Sequence, residues 1–432
     1  MNKKNVVIIG GGAAGMMAAI TASKEGAAVT ILEHKDRVGK KILMTGNGKC
    51  NLTNMSDIQG KYYGEDIAKI EACIKSFDAK ATRSFFQEIG LYTKEKRDGG
   101  VYPVSEQASS VLDVLRLTCE HMQIRMITNA DVTAIVPAKQ GGIVEYFLLP
   151  EVEKVQGKKG KKEITKPQVQ PIRKSMEYDA LIIATGGQAA SVAGSDGSGY
   201  ALARSLGHSL IKPLPALVQL RCEGDYFKSV SGVRAQAKLC LYIDGVQCFE
   251  EEGELQLTDY GISGIPVFQF SRIAARALHE KKRCEVSIDF MTFLSEEALQ
   301  ELIEAKERFA YKTLEEMLSG LVNKKIAALV CRFGKVSLAD KLGDISKKEW
   351  EKCLCLLKEF KVVVSATNPF ENAQVCCGGV PLSEVSDDME SLLQENVFFA
   401  GEILDCDGIC GGYNLQWAWS SGRCAGLGAA RE

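Results

Sequence analysis

The sequence predicts an α/β fold: a Rossmann-like domain with a parallel sheet, assembled from both ends of the chain around an insertion that is first β-rich and then helical. Three observations predict it. An apolar run, Asn5–Ile9, leads directly into Gly10-Gly-Gly12-Ala-Ala-Gly15 and a helical stretch over residues 13–25. A second buried run, residues 27–33, ends in Glu33, about 20 residues after the glycines. Residues 371–432 then return to a glycine-rich strand-and-helix pattern after a middle stretch of different character.

The elements between follow from periodicity. Helical spacing of apolar residues recurs over 67–73, 79–89 and 109–121. Strands are expected over 123–127, 132–136, 143–148 and 180–184. Residues 151–175 are rich in lysine, proline and glutamine, including Lys158-Lys-Gly-Lys-Lys162, and read as a solvated hairpin tip. From Ser191 onward, short strands (237–243, 254–258) precede helical stretches (295–307, 314–321, 347–360). The expected domains are therefore 1–190 and 371–432 for the dinucleotide-binding part and 191–370 for the insertion.

Composition excludes several classes. At 432 residues the chain suits two or three domains. Its net charge of −2 provides no overall basic field for nucleic acid or anionic lipid, so neither partner is expected. The 15 cysteines show no CxxC or Cys/His metal spacing; Cys376–Cys377, Cys353-x-Cys355 and Cys406-x3-Cys410 are the only close sets. They read as free or buried thiols of a cytoplasmic protein with no metal site. No stretch offers 18 uninterrupted apolar residues, and the apolar start is explained by strand, turn and helix, so no membrane span is expected.

The glycine motif carries specific chemistry. Gly10 permits the tight turn, Gly12 lets the backbone approach a pyrophosphate, and Gly15 lets helix and strand pack closely. The helix N-terminus, at Ala13 and Ala14, supplies N–H groups and positive dipole. Glu33 is placed to accept hydrogen bonds from a ribose diol and to repel a 2′-phosphate, with His34 beside it lining the adenosine pocket. The fingerprint alone does not separate FAD from NAD; the C-terminus does. Val397-Phe-Phe-Ala-Gly-Glu402 reads as a strand ending in Gly401-Glu402, followed by Asp405, Asp407, Gly408 and Gly411-Gly-Tyr-Asn-Leu-Gln416. A helix is expected over 417–427. An acid after the strand suits a ribityl chain, and a helix N-terminus suits the pyrimidine edge of a flavin, where reduction places negative charge. The expected cofactor is non-covalent FAD.

The chain also resembles a known family, the bacterial HI0933-like (BaiN/YhiN) flavoproteins. The matching stretches are Gly39-Lys-Lys-Ile-Leu-Met-Thr-Gly-Asn-Gly-Lys-Cys-Asn-Leu-Thr-Asn54, Val101-Tyr-Pro-Val-Ser105, Ala184-Thr-Gly-Gly187, Gly261-Ile-Ser-Gly264, Gly378-Gly-Val380 and residues 401–426. The resemblance implies an FAD domain of the glutathione-reductase/succinate-dehydrogenase type. It places Gly39, Lys40, Lys41, Thr45, Gly46, Asn47 and Asn51 along the cofactor, with Val132 backbone groups at the adenine. Ala184, Thr185, Gly186, Asp407, Asn414 and Leu415 complete the implied contacts. The family pattern often has histidine before the Gly-x-Ser-Gly stretch, where this chain has Thr258-Asp-Tyr260, and a basic residue where Gln107 stands. Both departures bear on specificity.

Catalytic candidates are sparse. Cys50 has no partner in a CxxxxC pattern, which argues against a dithiol relay. None of His34, His121, His208 and His279 has the context of a catalytic base, and His208 reads as structural. Proton donors are sought among Tyr102, Tyr260 and Tyr413, with Ser263 as a further wall residue. Substrate is expected where the insertion closes over the 411–416 turn. No second G-x-G-x-x-G follows residue 190, so NAD(P)H, the expected electron donor, would act without a domain of its own. The expected activity is an FAD-dependent reductase or dehydrogenase of a small organic substrate. The resemblance implies the C=C of an enone such as a 3-oxo-Δ4 or Δ6 bile-acid-like steroid. The alternatives are an amine or aminoketone oxidase using O2 and, in another class, an RNA-associated flavoprotein.

Overall fold

Five apolar runs form one parallel sheet in the spatial order Val397–Phe399, Ala180–Ile183, Asn5–Ile9, Ala28–Leu32, Arg125–Ile127. The central strand pairs Val6 with Ala180 on one side and with Val29 on the other, and Leu181 pairs onward with Val397. Val6, Val7 and Ile8 are fully buried, as a central parallel strand covered on both faces requires. The C-terminal strand therefore completes a sheet begun by residues almost 400 positions earlier in the chain.

Two helices tie the ends together. Ala13–Lys24 packs against Tyr413–Ala430, and small residues set how closely. A Cβ on Gly422 would lie 2.5 Å from the carbonyl oxygen of Ala14, and one on Gly426 would lie 2.6 Å from that of Ala18. Any larger residue at either position forces the helices apart. The C-terminal helix starts at Tyr413 rather than at residue 417 because Gly412, at φ 99°, supplies the left-handed entry that caps it.

The computed structural model describes residues 3–150, 154–156, 162–164 and 170–431, and the chain divides into two compact units. The first comprises residues 1–213 and 375–432, the second residues 214–374. Residues 191–213, assigned to the insertion on sequence, belong to the first unit: the helix Ser198–Ser205 buries Tyr200, Leu202 and Ala203 in its core. That unit also carries an antiparallel sheet of Ala130–Pro137, Gly142–Leu148 and Ile172–Tyr178. Within the lysine-rich stretch 151–175 read as a hairpin tip, residues 151–153, 157–161 and 165–169 lie outside the described residues.

The second unit is a closed six-stranded barrel, ordered Leu220–Cys222, Gly261–Ser263, Val246–Leu257, Arg234–Ile243, Cys284–Asp289, Phe360–Thr367, with helices around it. Its core includes Phe227, Phe270 and Trp350. Three helices there escape the sequence reading, the short Phe227–Val230 and the longer Ile265–His279 and Lys324–Gly334. The stretch 347–360 is not one helix: it ends at Lys358, and Phe360 opens a barrel strand. No helix of the described residues is long and apolar enough to cross a membrane.

Candidate functional site: a dinucleotide cradle

The three motif glycines have different duties. Gly10, at φ 102°, sits so close to the neighbouring strand that a Cβ would lie 2.4 Å from the Ala184 carbonyl oxygen. A Cβ on Gly15 would lie 1.9 Å from the Gly10 carbonyl oxygen. Both are bare because helix and strands touch. Gly12 differs: a Cβ there meets nothing within 4 Å, so its glycine leaves space at the helix mouth rather than permitting packing. The first intrahelical bond runs from Met16 N–H to Gly12 O, leaving the N–H groups of Ala13, Ala14 and Gly15 outside the helical ladder. Open space facing free N–H groups at the carboxyl ends of parallel strands fits a pyrophosphate.

Glu33 is more deeply engaged than the sequence suggests. One carboxylate oxygen accepts the Gly11 N–H at 2.9 Å and the other accepts the Lys35 N–H at 2.8 Å. The acid therefore braces the glycine loop, and each oxygen keeps a lone pair for a further donor such as a ribose hydroxyl. His34 stands 3.6 Å from Glu33 and 3.5 Å from Asp196. The strand that carries Val132 begins at Ala130, whose N–H bonds to the Glu33 backbone carbonyl.

The C-terminal return supplies the other half. Glu402 lies on a short 3-10 turn after the last sheet strand. One of its oxygens accepts the Lys41 ammonium at 2.5 Å, the other the Cys376 N–H at 2.9 Å. Lys41 is thereby held at the site by an acid rather than free, and Lys40 pairs with Asp36. Gly401, at φ 77°, faces the Ala14 side chain and donates its N–H to Ser421 Oγ at 2.9 Å.

The 39–54 loop follows the sheet. Gly46 and Asn47 adopt left-handed conformations at φ 55° and 53°, and Thr45 Oγ1 donates to the Ile42 carbonyl at 2.7 Å. Asn51 Oδ1 accepts the Val101 N–H at 3.1 Å, beside Gly412. Gln416 locks loop to helix: its Oε1 accepts Thr53 Oγ1 at 2.5 Å and Thr82 Oγ1 at 3.0 Å, and its Nε2 donates to Phe77 O and Ser420 Oγ. The helix ladder opens with Gln416 N–H to Gly412 O, so the N–H groups of Tyr413, Asn414 and Leu415 stand outside it. The Asn414 side chain turns back, accepting the Gly408 N–H and donating to the Gly408 carbonyl. Its side chain is thus engaged within the turn, while its backbone N–H is one of those left outside the helical ladder. Asp407 is buried in a two-residue strand, Asp407–Gly408, paired with Tyr62–Tyr63.

Cys50 sits in this loop fully buried, and burial pushes its thiol up to about 12 against a weaker opposing hydrogen bond from Thr45. It is a packing residue with no thiolate character at neutral pH. Tyr102 borders this loop, and Tyr413 lies in the 411–416 turn. A Cβ on Gly46 would lie 3.6 Å from the Tyr102 ring, and one on Gly411 3.1 Å from that of Tyr413. Burial raises both phenols above their ordinary range. Tyr260 and Ser263 lie in the other unit. Tyr260 OH accepts Asn368 Nδ2 at 3.0 Å with the Arg221 guanidinium 5.0 Å over its ring, and Ser263 is buried in the barrel. His208 is occupied at both nitrogens, 2.7 Å from Glu384 and 2.8 Å from Ser391, in keeping with a structural role. Sequence reasoning missed Tyr200, Gly187 and Cys376, which meet beside Glu402; the doubled glycine of Thr185-Gly-Gly187 was the available signal. No group of three or more metal-ligating side chains occurs among the described residues.

Residues 4–428 match a family model described as the HI0933-like protein Rossmann domain. The chain is 38% identical over 429 residues to the 3-dehydro-bile acid delta(4,6)-reductase of Clostridium scindens, covering 98% of each chain. It is 27% identical to the ribosomal RNA dihydrouridine synthase of Haemophilus influenzae, over 99% of this chain and 98% of the relative. Among solved structures, 3-ketosteroid-delta4-(5alpha)-dehydrogenase from Rhodococcus jostii aligns over 99% of this chain and 97% of that one, at 16% identity and a TM-score of 0.45.

Proposed function

Because the chain belongs to the HI0933-like family of Rossmann-domain proteins, we propose that it is an FAD-dependent oxidoreductase that reduces a carbon–carbon double bond conjugated to a carbonyl. The preferred substrate class is a 3-oxo-Δ4 or Δ6 steroid of the bile-acid type, with NAD(P)H as electron donor. The observation that carries this reading is full-length similarity at 38% identity to a reductase named for that substrate class. The cradle supports the cofactor. The Gly12 space and the free N–H groups of Ala13 and Ala14 would hold the pyrophosphate, Glu33 the adenosine ribose, and the Lys41–Glu402 pair the ribityl side. The helix N-terminus at Tyr413–Leu415 would face the flavin pyrimidine. FAD, when bound, supplies hydride chemistry, and the chain supplies orientation and electrostatics.

A second reading has support of its own. The ribosomal RNA relative spans the whole chain, and dihydrouridine differs from uridine by reduction of a ring double bond conjugated to a carbonyl. The bond class is shared, and the substrate is what differs. The lower identity and the net charge of −2 favour the small molecule. The flavin oxidase acting on an amine or aminoketone has no comparable support.

The test is anaerobic reduction of the flavoprotein by NADH and by NADPH, followed by reoxidation with steroid enones, unmodified ribosomal RNA fragments, or oxygen with amines as the reductant. Fast reoxidation by the enones alone supports the first reading. Reoxidation by RNA alone replaces it with the second.

A further inference from the structure

We propose that Tyr200 is a cofactor-positioning residue whose phenol O–H, unpaired among the described residues, is completed by the dinucleotide bound at the carboxyl ends of the parallel strands. The inference rests on the reading that this unit binds FAD.

Tyr200 lies on the helix Ser198–Ser205 and is only 6% exposed, yet its hydroxyl has no hydrogen-bond partner among the described residues. A buried O–H without an acceptor is destabilising, and phenylalanine would fill the same volume without it. The oxygen is aimed at a definite place. A Cβ on Gly187 would lie 3.0 Å from Tyr200 OH, 3.1 Å from Glu402 Oε1 and 3.2 Å from Cys376 Sγ. Three polar atoms therefore converge on a small space that a bare glycine keeps open.

The other two are already employed. Glu402 Oε1 accepts the Cys376 N–H at 2.9 Å, its Oε2 accepts Lys41, and Cys376 Sγ accepts the Gln188 N–H at 3.1 Å. Of the three, only the Tyr200 hydroxyl makes no hydrogen bond among the described residues, and it has a strong O–H donor to give. Burial, with Cys376, Glu402, Cys377 and Asp405 around it, keeps the phenol well above its ordinary range, so it remains a donor at every working pH.

The location is where a doubly wound sheet holds its ligand. Gly187 follows the strand Ala180–Ile183, Glu402 follows Val397–Phe399, and these strands pair in parallel with Ile183 beside Phe399. The acceptors that a dinucleotide offers there are ribityl hydroxyls and phosphate oxygens. Either would satisfy the phenol.

Tyr200→Phe separates this role from an ordinary core contact, using FAD affinity by flavin fluorescence and the unfolding midpoint of FAD-free protein. The expected result is an FAD-free midpoint equal to or above wild type, with FAD binding about tenfold weaker. Gly187→Ala, which fills the space while keeping the phenol, is expected to weaken FAD binding as well. Equal affinity of Tyr200→Phe and wild type overturns the inference while leaving the cofactor reading intact. So does a loss of FAD-free stability without loss of affinity, which would mean an internal partner. Wild-type protein that cannot bind FAD defeats the cofactor reading itself, and the inference with it.

Discussion

Glu33→Gln tests whether the acid after the second strand is a brace before it is a ligand. The residue is 8% exposed, and its two carboxylate oxygens accept the Gly11 and Lys35 N–H groups at 2.9 and 2.8 Å. Glutamine keeps the length, and its carbonyl can serve one of these donors. Its amide nitrogen, however, faces the other as donor to donor. One charge-assisted bond is lost and one buried N–H is stranded, a loss of about 2–4 kcal/mol in FAD-free protein. Glu33→Ala strands both donors and is expected to cost about 3–5 kcal/mol. The assay is urea unfolding followed by tryptophan fluorescence. Trp417 and Trp419 are buried in the first unit, and Trp350 is the only tryptophan of the second, so a Trp350→Phe background reports the first unit alone. An unchanged midpoint in FAD-free Glu33→Gln would refute the bracing role. Weaker FAD binding would then trace to the ribose contact alone.

Other expectations follow from the same geometry. Gly12→Val places its side chain in open space, so FAD-free stability should stay within about 1 kcal/mol of wild type while FAD retention is lost. Gly15→Ala drives a Cβ onto the Gly10 carbonyl and should destabilise the fold by about 3 kcal/mol or more, read in the same unfolding assay. At pH 8 native protein should resist iodoacetamide at Cys50 while exposed Cys248 reacts, checked by peptide mass spectrometry. Cys50→Ser should keep turnover within about tenfold of wild type, less than 1.4 kcal/mol in the barrier. Burial alone would push the Glu384 carboxyl up, but hydrogen bonds from Ser209 and His208 outweigh it and hold the group below its ordinary 4.5. Its folded-state value is depressed, so its contribution is complete above about 4.5 and is lost as pH falls through the lower folded value. Glu384→Gln should flatten the acid limb of the stability profile in that window.

The ends of the chain were the most legible part of this fold. The first strand, the glycine turn, its helix and the acid at Glu33 form one continuous pattern in which every residue type has a local reason, and the C-terminal strand announces itself by Gly401-Glu402. The middle was harder. A barrel of six strands between Leu220 and Thr367 depends on pairings far apart in the chain, and its two three-residue strands, Leu220–Cys222 and Gly261–Ser263, are too short to carry a periodicity of their own. The helix Ile265–His279 begins at Ile265-Pro266, where the proline sits in the first turn but reads in sequence as a break. Within the site, sequence placed the cradle but could not apportion it. Only geometry shows that Gly12 leaves space where Gly10 and Gly15 permit contact, that Lys41 is tied to Glu402, or that Asn414 spends its side chain on Gly408. Tyr200 carries no motif. The role proposed for it rests on a hydroxyl with no partner among the described residues, which is visible only when its neighbours are known.

Enone reduction by this chain is tested by mixing anaerobically reduced enzyme with a 3-oxo-Δ4 steroid enone and following flavin absorbance in a single turnover. Complete reoxidation is expected, with one saturated product formed per flavin. Reduced flavin that persists in the presence of the enone, but is reoxidised by a uridine-containing ribosomal RNA fragment, would contradict it.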